Sequence, residues 1–158
     1  FSNPPDDSYL NPTGFGTIRH DSAGFGHFEA RRKNPDGTKR KHNSLDILSI
    51  PGQPIYAPLD GEITFTKGYY SAIENTGENH DARILYIRPT ERIASGKGTI
   101  KVKKGDVIGY AQNLYSIYKN TKMKNHIHLE LFTKRKDGKP GTKKQRIDPK
   151  SHIWPGVE

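Results

Sequence analysis

A chain of 158 residues without a cysteine is long enough for one self-supporting core, and it can enclose no zinc ion in thiolates. Its 26 Lys and Arg against 17 Asp and Glu leave a formal net charge of +9, which favours encounters with polyanions. A mean hydropathy of -0.88, with no apolar run near the roughly 20 residues needed to cross a bilayer, excludes a helical membrane span.

Residues 1-13 are polar and proline-bearing and read as an extended N-terminal arm; residues 14-158 are expected to form a single domain. The 16 Gly and 11 Pro lie mostly between short apolar runs, a pattern that predicts a mainly β fold with many turns. In chain order, strands are expected at Gly26–Ala30, Leu45–Ile50, Pro54–Ala57, Gly61–Lys67, Arg83–Arg88, Thr99–Val102, Asp106–Ala111 and His126–Phe132, with one short helix over Gln112–Lys119. Leu45, Ile47, Leu48 and Ile50 run into Pro51-Gly52, the signature of a short buried strand ending in a turn rather than of a helix. Gly68 to Asp81 has no period and is expected to loop near the mouth of the site.

Two segments carry the chemistry: His42-Asn43-Ser44-Leu45-Asp46 and His126-Ile127-His128-Leu129-Glu130. Catalytic zinc takes three ligands from His, Asp and Glu and leaves the fourth position to water, and these segments offer such ligands in a protein without thiols. Strand residues two apart face the same way with side chains roughly 7 Å apart, so His126 and His128 look into one cavity while only one of them ligates. His42 and Asp46, four apart, would lie roughly 13 Å from each other on a straight strand. Sharing an ion therefore requires a bend at Asn43-Ser44, residue types that tolerate turn geometry.

The order of these segments resembles the lysostaphin and LytM type of zinc endopeptidase, which is marked by His-X-Gly-X-Asp and a later His-X-His. The resemblance extends to Gly26 through Arg32 before the first motif, Pro54 through Ile63 after it, Val102 through Ala111, and Asp148-Pro149, about positions 24 to 150 in all. It implies an antiparallel β-sheet core with long loops around a zinc groove. His42, Asp46 and His128 match the zinc ligands and His126 the general base. Serine stands at position 44 where the family motif has glycine. The strand that usually ends in Tyr-X-His-Leu reads Leu85-Tyr86-Ile87-Arg88-Pro89 here, so Arg88 takes the place of the second active-site histidine. A basic residue there is also similar to the leukocyte cell-derived chemotaxins, and that likeness implies a zinc-bearing binding or signalling domain as the alternative to a peptidase.

The resemblance implies hydrolysis of amide bonds in the peptide part of bacterial peptidoglycan; Arg88 or His80 is expected to stabilise the oxyanion. Arg31 is a candidate for a substrate carboxylate, and Tyr69 and Tyr70 for the wall of a groove. Between Lys134 and Arg146, seven cations face one acid without an aromatic. This composition suits anionic envelope polymers and offers no stacking surface for specific nucleic-acid binding. The expected setting is secreted, periplasmic or in the cell envelope, as a monomer or as a domain of a larger protein.

Overall fold

The computed structural model describes residues 8–14, 17–21, 24–34, 36–42, 44–67, 71–95, 99–119, 123–134 and 145–156. Its organising element is β14 (His126–Thr133), whose alternating side chains divide two buried environments. Ile127, Leu129 and Leu131 are at most 2% exposed and face the apolar core. His126, His128 and Glu130 take the opposite face.

Along one edge of β14 runs β6 (Leu45–Leu48), antiparallel and in a register that sets Asp46 opposite His128 and Ile47 opposite Ile127. The other edge pairs with β10 (His80–Leu85), which brings Leu85 level with His128. Outward from β10 the sheet continues through β9 (Ala72–Thr76), β8 (Gly61–Thr66) and β12 (Ile100–Val102), and β15 (Arg146–Ile147) extends the β6 edge. A second antiparallel sheet consists of β11 (Ile87–Pro89), β13 (Val107–Ala111) and β7 (Pro54–Tyr56). The core holds Ile55, Ile63, Ile73, Ile84, Ile87, Ile108 and Ile127, all within 1% of complete burial. Each such side chain contributes roughly 1.5–3 kcal/mol relative to exposure.

Only two short α-helices occur among the described residues, α1 (Glu91–Ser95) and α2 (Leu114–Tyr118). The second begins at Asn113, whose side chain accepts from the Ser116 amide, and ends where Lys119 turns left-handed at φ 53°. Asn125 ties its start to the site: Oδ1 accepts from the Leu114 amide at 2.8 Å, and Nδ2 donates to Ser49 Oγ at 3.1 Å. The residue before His126 is thus clamped between α2 and the end of β6. No helix among the described residues is long and apolar enough to cross a membrane.

The fold is mainly antiparallel β, as the turn-rich composition and the family resemblance both predict. Three local expectations change. Gly26 to Ala30 is a turn, not a strand, with Glu29 at φ 64°. Ala72–Thr76 is a strand within the sheet where a loop is expected. The polar Asn75 that hides its periodicity is fully buried, accepting from the Leu59 amide at 2.9 Å and donating to the Glu62 carbonyl at 3.4 Å. Arg83–Arg88 is two strands broken at Tyr86, whose φ of 70° is costly for a bulky residue. Tyr9–Leu10, within the expected arm, forms β1 and pairs in parallel with β16 (Ile153–Trp154), while residues 1–7 lie outside the described residues.

Candidate metal centre

Asp46 projects from β6 toward its cross-strand partner His128, and His42 directly follows β5 (Lys39–Lys41) and comes to the same place. One ligand atom from each of His42, Asp46 and His128 lies within 4.8 Å of the others. Asp46 Oδ1 is 3.3 Å from His42 Nε2 and 3.2 Å from His128 Nδ1.

Hydrogen bonds on the outer side of each ring fix what faces inward. His42 Nδ1 donates to the His27 carbonyl at 3.0 Å, leaving the Nε2 lone pair directed at Asp46. His128 Nε2 lies 3.3 Å from Glu130 Oε1, leaving Nδ1 to face the same point. Asp46 Oδ1 is buried and accepts no hydrogen bond. Three potential ligand atoms thus converge on one point, with the Ser44 hydroxyl beside the two nitrogens, an arrangement that suits a cation.

The distances suit zinc. Bonds of about 2.0–2.1 Å give a tetrahedron with edges of about 3.3 Å, and the two edges at Asp46 measure 3.3 and 3.2 Å. The ligand types, two imidazoles and a carboxylate, are those of a thiol-free zinc site.

Around the trio lies a second layer of charge. Asp46 Oδ2 meets Arg19 Nε at 3.2 Å and Arg32 at 3.7 Å, so one carboxylate oxygen is neutralised while the other is left for a metal. Glu130, 3% exposed, is braced by Arg146 at 3.4 Å and Arg83 at 3.5 Å. Gly26 makes room for Asp46: a Cβ there would stand 2.8 Å from both Asp46 Cβ and the Arg19 carbonyl.

Burial acts to raise the Asp46 carboxyl, yet the His128 and His42 imidazoles and the His126 ring together hold it well below the usual carboxylate range. Burial lowers His128, but Asp46 and Glu130 outweigh it and raise that ring above its ordinary value. Burial would likewise raise Glu130, which His128, Arg146 and Arg83 keep low. Burial dominates at His126 and depresses it against the pull of Asp46, keeping the imidazole neutral at neutral pH.

His126 shares the face of His128 and stands outside the trio. Its Nδ1 donates to the Lys124 carbonyl at 2.9 Å and its Nε2 lies 3.7 Å from Asp46 Oδ2. Tyr86, turned inward by its left-handed backbone, sets its ring edge-on to His126 at 5.5 Å and to His128 at 6.1 Å. Its hydroxyl meets that of Tyr118 at 2.7 Å.

Of the other expected site residues, those described stand apart from the trio. His80 opens β10, five ladder positions from the level of His128, a span of roughly 17 Å. There it contacts the Tyr9 hydroxyl and stands 5.7 Å from the His152 ring. Arg88 is exposed, with its guanidinium 5.6 Å from the centre of the Tyr110 ring, and it faces a shallow depression lined by Gln112 and Ser116. Arg31 is exposed on β4 (Arg31–Lys33), and it is the neighbouring Arg32 that reaches Asp46. Tyr69 and Tyr70 lie outside the described residues. Of the seven cations in Lys134 to Arg146 only the first and last are described. Lys134 pairs with Asp81 at 3.7 Å, and Arg146 is committed to Glu130 and lies over the Phe132 ring at 4.9 Å.

Arg19, Arg32 and Tyr86 have no role assigned from the sequence, and Glu130 has only its place in the second ligand-bearing segment. A signal existed for Glu130, which continues the two-residue period of His126 and His128. Arg19 has none, since it reaches Asp46 through the isolated bridge between Ile18 and Ile47.

Leukocyte cell-derived chemotaxin-2 of Mus musculus is 32% identical over 117 residues, covering 70% of this chain and 69% of the relative. The chain belongs to the leukocyte cell-derived chemotaxin-2 family. No family model matches the sequence. Among solved structures, lysostaphin from Staphylococcus simulans aligns with a TM-score of 0.62 at 16% identity, over 98% of this chain and 58% of that one. A zinc containing peptidase from Vibrio cholerae aligns with a TM-score of 0.57 at 19% identity, over 90% of this chain and 39% of the other. At these identities the likeness establishes a lysostaphin-like fold for this chemotaxin-family chain, which spans less than two thirds of either solved chain.

Carboxylate–histidine pairs behind a metal orient the ring and raise its basicity, and losing one costs roughly 10–100-fold in metal affinity. Glu130→Gln is accordingly expected to weaken zinc binding by about 10-fold or more, read by competition with a chromogenic chelator. Unchanged affinity would remove Glu130 from the centre.

Proposed function

We propose that this chain is a zinc-dependent peptidase that hydrolyses amide bonds in the peptide part of bacterial peptidoglycan, acting outside the cell or in its envelope. The observation that carries the reading is His126. A purely structural ion needs only its ligands, yet here a further neutral imidazole, with Nδ1–H committed to a carbonyl, directs an unshared Nε2 toward the same carboxylate.

His42 Nε2, Asp46 Oδ1 and His128 Nδ1 are the atoms that would hold the ion. When bound, zinc supplies a Lewis acid for the scissile carbonyl and lowers the pKa of the attacking water. His126 Nε2 takes the proton of that water and returns it to the leaving amine. Arg19 and Arg32 hold the far oxygen of Asp46 and so aim the near one, while Tyr86 covers the flank of both histidines. The solved relatives of this fold support the reading, including an antimicrobial peptidase and a zinc containing peptidase.

A second reading, a zinc-bearing binding domain like the chemotaxins, draws on Arg88 and His80, neither of which contacts the trio. The test is incubation of the zinc-loaded protein with purified peptidoglycan of several cross-bridge types, with fragments identified by mass spectrometry. New amino termini support the peptidase. A folded, zinc-loaded protein inert on every wall type favours the binding domain.

A further inference from the structure

Position 44 carries a hydroxyl where the motif it resembles carries only hydrogen, and that hydroxyl is not idle. Ser44 is completely buried, and its Oγ lies 2.8 Å from His42 Nε2 and 3.0 Å from His128 Nδ1. Those are the two nitrogens that face Asp46. With the other nitrogen of each ring turned to His27 or Glu130, the neutral form of each ring presents a lone pair inward. A single hydroxyl proton satisfies only one of them. A cation among these atoms satisfies every lone pair at once, the serine's included.

Catalytic zinc ordinarily leaves its fourth position to water. His42, Asp46 and His128 define three corners, and Ser44 Oγ stands beside two of them at distances near the edge of a zinc tetrahedron. We propose that Ser44 Oγ is a fourth, displaceable ligand of the ion, so that the resting site is closed and an incoming metal-seeking group must push the serine aside. This rests on the zinc reading of the trio and not on hydrolysis. The displaceability follows from chemistry: a neutral hydroxyl is a poorer zinc donor than imidazole or carboxylate, and rotation about one side-chain bond withdraws it. Ligation uses an oxygen lone pair and leaves the hydroxyl proton in place.

Cobalt(II) in place of zinc makes the coordination visible. Wild type, Ser44→Ala and Ser44→Gly are loaded with one cobalt per chain and titrated with acetohydroxamate, and visible absorption is followed. Opening the corner is expected to change the shape of the cobalt bands and to tighten acetohydroxamate binding by about 10-fold, the low end of what a neighbouring group contributes at a metal. Ser44→Cys is expected to add a thiolate-to-cobalt charge-transfer band in the near ultraviolet. Equal acetohydroxamate affinities and superimposable spectra in wild type, Ser44→Ala and Ser44→Gly would overturn the serine ligand while leaving the trio in place. Failure of wild type to take up cobalt would overturn the metal centre itself. The glycine variant, with the residue type of the resembling motif, guards against a misfolded alanine variant.

Discussion

Asp46→Ala is expected to abolish stoichiometric zinc binding, with an affinity loss beyond the roughly 100-fold that an outer partner costs. The carboxylate does two things at once: Oδ1 faces the two imidazoles and Oδ2 neutralises Arg19. Alanine removes a ligand and takes the Asp46 charge away from a buried guanidinium, and breaking a buried pair costs on the order of 3–5 kcal/mol. Asp46→Asn keeps the shape and removes the charge, which separates electrostatics from packing. Zinc content after dialysis and thermal unfolding with and without chelator are the measurements. Because a ligand held only by the folded state stabilises it by about 2.7 kcal/mol at 100 times its dissociation constant, chelator should lower the melting temperature of wild type and leave Asp46→Ala unmoved. One tightly held zinc per chain in the alanine variant would sink the ligand assignment.

The second large effect separates proton transfer from metal holding within one strand. His126→Ala is expected to retain zinc and to lose about 100-fold or more of the amide hydrolysis, the usual contribution of a positioned base. The separation has a structural reason. Only the ring of His128 places a nitrogen 3.2 Å from Asp46 Oδ1, whereas His126 approaches the opposite oxygen at 3.7 Å. Release of amino groups from peptidoglycan and zinc content are read on the same samples. Joint loss of zinc and activity would instead make His126 a ligand.

Much of the centre was legible because its parts follow simple periods. The His-X-His pair declares a shared strand face, and His42 with Asp46 demands a bend, and the structure brings His42, Asp46 and His128 together. What stayed hidden depends on long-range contacts. Arg19 approaches Asp46 from 27 positions upstream with no motif to mark it. Ala72–Thr76 breaks the alternation expected of a strand because Asn75 is inward and bonded to a neighbouring turn. The Arg83–Arg88 run reads as continuous, yet Tyr86 turns the chain from one sheet into the other. That turn carries Arg88 to Tyr110 and His80 stays at the far end of its strand, so neither reaches the place a straight reading assigns it.

The pairing of Asp46 with His128 across β6 and β14 makes the centre a reader of strand alignment. A slip of one residue would set an aliphatic side chain against Asp46 and turn the histidines into the face now filled by Ile127 and Leu129, because side-chain direction repeats every two residues. Leu45 and Ile47 enforce the same alignment from the core side. Packing and ligation therefore select one register by two unrelated chemistries, and a bound ion would act as a proofreader of folding, held tightly only by chains whose central strands have come together in step.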